Sequence, residues 1–225
     1  MEDPDQPTAY PLMMFNFEYP RLKPIDFTKY IVTSKAASRD FLHGVGVKRT
    51  ELAQLLTNKK QSPSATQIIR HVESLFPMIM GLFQVMTSPG TQFKQKIPFS
   101  WSSPVHFKDK HTFATISSKS FEMLMLCNLL ACAHGNRALE HIRNWSPEDD
   151  FDEPAKKAVE ELRIAAGLFD WMAKIGIPKW TTPPISVPFE CNATVALSMR
   201  NLCLSMGQAI VVRKALIHGT SKQVV

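Results

Sequence analysis

A chain of 225 residues, 44% hydrophobic and 20% charged, is long enough for one sizeable core and has the balance of a globular protein. No apolar run reaches the ~20 residues needed to cross a bilayer, and the acidic, proline-bearing start MEDPDQPTAY is unlike a secretory signal, so a cytoplasmic protein is predicted. The net charge of +6 favours acidic partners, but the basic residues are scattered and do not choose among nucleic acid, an anionic membrane and an acidic protein.

The first 26 residues carry five prolines around the extended-looking stretch LMMFNFEY. Residues 1–32 are predicted to form a strap whose Leu12–Tyr19 stretch is an edge strand, because Pro20 and Pro24 oppose helix beyond it. From Ser34, a candidate cap, the pattern turns helical and places Phe41, Val45, Leu52 and Leu55/Leu56 near one face. A second helix is predicted from Pro63 or Ser64, striped by Ile68/Ile69, Val72, Leu75/Phe76, Ile79 and Leu82/Phe83, kinked at Pro77 and ended by Ser88-Pro89-Gly90.

Phe93, Ile97, Phe99 and Trp101 alternate in part, and Phe113 with Ile116 follows a polar turn. This reads as two short strands, joined with the strap into one small sheet. Three long helices then follow, over about 118–143, 153–174 and 188–218. Their short connections imply antiparallel neighbours. The predicted fold is mostly α, a curved, solenoid-like array of long antiparallel helices with a small N-terminal sheet. Residues 33–225 form the helical part, in a single domain overall.

Inside the second of these helices Ala165, Ala166 and Gly167 stand together. Glycine costs about 1 kcal/mol against alanine in a helix interior, so a close helix–helix contact is predicted at Gly167.

Chemistry-bearing patterns are sparse. The sequence has no phosphate-cradling glycine loop, nucleophile elbow or complete zinc-ligand set. Cys127 and Cys132 are about 500° apart by helical rotation and do not share a face. With Cys191 and Cys203 they read as reduced core thiols. Glu148–Glu153 lacks the spacing of a calcium loop and reads as a solvated helix start. Trp101, Trp145, Trp171 and Trp180 lack the interleaved basic residues of a nucleic-acid platform and read as core or connector aromatics. The expectation is a protein that is not an enzyme and uses no metal or cofactor.

Three stretches resemble the Bro domain of ALIX-type proteins, which work with the ESCRT machinery. IPFSWSS followed by SFEMLMLCNLLACAHG is similar to that family's aromatic strand and the helix after it, through Phe99, Trp101, Phe121, Glu122, Asn128 and Leu129. LRIAAGLFDWM looks like its Ala-Ala-Gly-x-Phe signature, carried by Ala165, Ala166, Gly167 and Phe169. LSMGQAIVVRKA resembles a third motif, with Ala209 where a glutamate would fall. The resemblance covers roughly residues 93–225 and implies a divergent, C-terminally shortened member.

It also implies a scaffold that receives an amphipathic C-terminal helix of an ESCRT-III filament subunit, by the physics of a helix laid in an apolar groove. By the same resemblance, Asp152 and Lys156 match rim positions one turn apart, Val211 an aromatic groove position, Lys214 a basic rim position and Val224 an aliphatic anchor. Asp152 also has a simpler role beside a helix N-terminus. Glu160 stands where familiar members carry a basic residue, and valine at 211 makes the groove shallower. The implied setting is cytoplasmic with recruitment to endosomes and peripheral membrane association, and no nucleic acid is expected. The rival reading is a basic helical adaptor for an anionic membrane surface or nucleic acid.

Overall fold

Ser64 decides where the second helix begins. Its hydroxyl accepts from the Gln67 amide while the Gln67 side chain accepts from the Ser64 amide, a reciprocal capping box. The computed structural model describes residues 12–58, 62–105, 112–143 and 151–217. Within them lie helices α1 (Ala36–Thr57), α2 (Ala65–Val85), α3 (Lys119–Arg143), α4 (Asp152–Trp171) and α5 (Ala193–Ile217). Each helix packs against the next. Gly44 beside Met78 and Phe41 beside Gly81 make α1 and α2 antiparallel. Lys119 reaching the Phe83 carbonyl and Glu140 accepting from the Ala65 amide do the same for α2 and α3.

The apolar stripes set this packing. The α2 stripe is buried at Ile68, Ile69, Val72, Leu75, Ile79 and Leu82, and the helix runs on through Pro77. On α1 the stripe is rotated from the expected one. Leu42, Val45, Leu52, Ala53 and Leu56 are buried while Phe41 and Leu55 are half-buried, and Arg49 sits in the middle of the buried face. That helix starts after Lys35, which makes no side-chain cap, so Ser34 does not cap it. α4 ends at Trp171 and continues as a π-helical turn, Met172–Gly176.

The strap differs most from expectation. Leu12–Tyr19 is extended but forms no strand. The Asn136 side chain on α3 serves its backbone instead, accepting from the Phe17 amide and donating to the Phe17 carbonyl, both at 2.7 Å. Pro20 offers no amide to a ladder, and of residues 12–30 only Leu22 bridges a strand residue, Trp101. The single expected sheet is two antiparallel ribbons, β1 (Ile31–Thr33) with β2 (Thr91–Phe93) and β3 (Phe99–Ser102) with β4 (Phe113–Ile116). Phe17, Leu22, Ile25 and Phe27 of the strap share one core with the helices.

A buried ion pair fastens these layers. Arg49 of α1 donates from Nε and Nη2 to the two carboxylate oxygens of Glu122 on α3, each at 3.0 Å, and both side chains are wholly buried. The Trp101 indole donates to the same carboxylate at 2.6 Å, and Arg49 Nη1 donates to the Lys23 carbonyl of the strap. Four segments meet at one charge pair. The aromatic strand and the aromatic–Glu helix start are linked because Trp101 is a donor to Glu122.

α3 and α4 are joined by a second buried pair. His134 Nδ1 lies 2.6 Å from Glu161 Oε2, and Arg137 Nε lies 3.3 Å from Glu161 Oε1. Burial pushes the Glu161 carboxyl up, but the His134 hydrogen bond and the nearby positive charges outweigh it, leaving it below the usual carboxylate range.

All four cysteines are buried and free. Burial pushes the thiols of Cys127, Cys191 and Cys203 up to about 12, and that of Cys132 in the same direction. A buried, protonated thiol is a poor nucleophile. A disulfide reagent at pH 8 should therefore modify none of the four in the native protein and all four in denaturant. Rapid labelling of the native protein would contradict this packing.

Candidate functional site

α4 and α5 lie antiparallel, with Asp152 against Lys214 at one end and Asp170 against Arg200 at the other. The spacing of exposed positions on α4 puts Lys156, Val159, Glu160 and Arg163 on the side turned toward α5. Across from them stand Ile210, Val211 and Lys214, and between the two helices is a groove of about 350 Å³. Its lining is mostly apolar, from Ala155, Val159, Ile210 and Val211, with charge at the edges. Val211 is 47% exposed, directly after Ile210, the last buried residue of α5.

Four of the five sequence-derived positions fall here. Lys156, Val211 and Lys214 line the groove, and Asp152 stands at its end, its carboxylate 3.1 Å from the Lys214 ammonium. Asp152 on α4 and Lys214 on α5 face each other across the end of the groove and pair. Both are about two-fifths exposed, so the pair is worth a few tenths of a kcal/mol up to about 1. Val224 lies outside the described residues, as do Trp145 and Glu148–Asp150. Val159, Arg163 and Ile210 escaped the sequence reading. Val159 and Arg163 lie three and seven residues beyond Lys156, a helical spacing that would have found them.

Further along the same helix pair is a second, shallower depression of about 310 Å³, lined by Arg163, Ala166, Gly167, Asp170, Lys174, Arg200 and Leu204. Arg200 Nη1 and Lys174 Nζ lie 2.8 and 2.9 Å from the same Asp170 oxygen. Hydrogen bonds from Lys174 and then Arg200 hold the Asp170 carboxyl below the usual carboxylate range. The expected close contact at Gly167 is absent. A Cβ placed there meets no atom within 4 Å, because Gly167 lies on the open side of α4 while Ala165 and Ala166 face inward. Close contacts fall at other glycines, such as Gly81 against Phe41, and the tightest is at Gly135 on α3, where an added Cβ would sit 2.7 Å from Phe17 Cδ2. Gly167→Ala should accordingly stabilise the protein by about 0.5–1 kcal/mol, through helix propensity and a less flexible unfolded chain. A denaturation midpoint that falls would show that the position is crowded.

By length and composition α5 is apolar enough to cross a bilayer, and 28% of its most apolar window is buried. Leu204, Val211, Leu216 and Ile217 are each between 42% and 49% exposed. Among the described residues no cluster of three or more histidines, cysteines or carboxylates is placed to hold a metal.

No protein-family model matches the sequence, and no curated protein matches it. Solved structures match the shape. One, described as the basis for endosomal targeting by the Bro1 domain, aligns with 94% of this chain at a TM-score of 0.65 and 16% identity. An ALIX Bro1–CHMP4C complex aligns with 92% at 0.62 and 12% identity, and ALIX in complex with a SIVmac239 late-domain peptide aligns with 92% at 0.61 and 12% identity. The fold is that of a Bro1 domain. This chain spans 54%, 57% and 29% of the three matched chains respectively. The α4–α5 groove therefore lies within a Bro1-type helical array, solenoid-like in its succession of antiparallel neighbours.

Proposed function

We propose that this chain is a non-enzymatic scaffold that seats the amphipathic C-terminal helix of an ESCRT-III filament subunit in the α4–α5 groove. It would act from the cytoplasm, on recruitment to endosomes, in sorting or membrane remodelling. The observation that carries this reading is the groove itself: an open apolar strip edged by Lys156, Glu160, Arg163 and Lys214 in a Bro1-type fold. One solved structure of that fold is a complex with CHMP4C. Covering half-exposed Val211 and its neighbours contributes roughly 1 kcal/mol per side chain, and the rim charges set register. Lys214 meets the partner's acidic residues only by sharing or releasing Asp152. Val224, outside the described residues, is assigned as a further apolar anchor.

The test is a titration of a labelled CHMP4C C-terminal peptide against this chain. Val211→Asp places an uncompensated charge in the apolar contact, and affinity should fall by roughly tenfold or more. Unchanged affinity in that variant would remove the groove from the mechanism.

The exposed apolar side chains of α5, Leu204, Val211, Leu216 and Ile217, favour a second reading, an adaptor lying on an anionic membrane surface. Binding to phosphatidylserine vesicles that falls steeply with salt, beside peptide binding that does not occur, would favour it.

A further inference from the structure

The two depressions between α4 and α5 share Arg163 as a common wall. On α4 and the π-helical turn after it their linings form one strip, from Lys156 through Val159, Arg163, Ala166 and Asp170 to Lys174. On α5 the strip runs from Lys214 through Val211 and Leu204 to Arg200. At 1.5 Å per residue, Ala155 to Lys174 covers about 28 Å, the length of a helix of about 20 residues. The two halves differ in character. The first offers apolar area at Val159, Ile210 and Val211. The second sets Arg163, Lys174 and Arg200 against the single carboxylate of Asp170, with Leu204 48% exposed beside them. Among the described residues Arg163 has no ion-pair partner. At its middle the floor is the bare main chain of Gly167, with open space above it.

Resting on the function proposed above, we infer that the occupant is one continuous amphipathic helix that fills both halves and sets a carboxylate against Arg163, Lys174 and Arg200. The excess of cations in the second half is matched by an acidic residue and by no basic one. The open floor at Gly167 lets the occupant lie close to α4 there.

The experiment titrates a CHMP4C C-terminal peptide of about 20 residues against the wild-type chain and three variants. Gly167→Leu projects into open space on a helix, where leucine is favoured over glycine, so its melting temperature should not fall. Gly167→Leu and Arg163→Glu should each weaken binding by roughly tenfold, as should Val211→Asp. Two peptides of the same length, each with the acidic residues of one half changed to glutamine, complete the set. One of them should lose its sensitivity to Arg163→Glu, which identifies the paired half by coupling. If Val211→Asp weakens binding while Gly167→Leu and Arg163→Glu are silent, the occupant stops in the first half and the inference is overturned, though the groove assignment stands. If no peptide binds, the inference and the function it rests on fall together. If sedimentation shows the wild-type chain to be a dimer that Gly167→Leu dissociates, the occupant is a second copy and the inference is equally overturned.

Discussion

Glu122→Gln should destabilise the protein by about 3–5 kcal/mol, the usual cost of removing one partner from a buried ion pair. Arg49 and Glu122 are both wholly buried, and the carboxylate accepts from two guanidinium nitrogens and the Trp101 indole. Glutamine keeps the shape but removes the negative charge and turns one acceptor into a donor, which faces Arg49 in either orientation and the indole as well in one of them. The arginine charge would then sit uncompensated in an apolar interior. Because α1, α3, β3 and the strap all meet here, the loss should appear as one cooperative shift of the denaturation midpoint. A double variant, Arg49→Met with Glu122→Leu, should recover part of it. Recovery should be incomplete, since the Trp101 indole and the Lys23 carbonyl lose their partner. A midpoint in Glu122→Gln equal to that of the wild type would mean that the pair carries no such weight.

The second large effect is at Gly135. Gly135→Val should cost about 3 kcal/mol by overpacking, the upper end of the usual range. An added Cβ at that position meets Phe17 Cδ2 at 2.7 Å and Cζ at 3.3 Å. The ring has little room to retreat, since it packs against Phe169 and Phe15 with centroids 6.4 and 5.0 Å away. Its backbone is held at both ends by Asn136. The strap should yield first, so limited proteolysis between α1 and the N-terminus should accelerate together with the fall in stability. A variant with unchanged stability and unchanged proteolysis would show that Phe17 is not locked. Gly167, also inside a long helix, should respond in the opposite sense, because its side-chain position is empty.

That contrast shows what could be read in advance. Helical periodicity placed α2 and its buried stripe closely, because an apolar face repeating at 3.6 residues is a local signal. The three long helices after residue 117 and their antiparallel order were legible for the same reason, with short connections supplying the topology. The tryptophan–glutamate motif was visible as a pattern, but its partner Arg49 lies 73 residues from Glu122, and no local rule links them. His134 and Glu161 pair across two helices in the same way, 27 residues apart.

The groove was half legible. Lys156, Val211 and Lys214 were named from motif position, and the structure brings them together with Val159 and Ile210. The pairing of Asp152 with Lys214 depended on how far α4 and α5 overlap, which loop length alone does not fix. The sequence by itself determined the long helices, the stripe of α2 and the glycine positions, since propensity and periodicity act over a few residues. Only the tertiary structure decided which glycine is crowded and which is open. A missing side chain has the same local cost wherever it occurs, and its reason is the group that stands opposite: Phe17 at Gly135, and open space at Gly167.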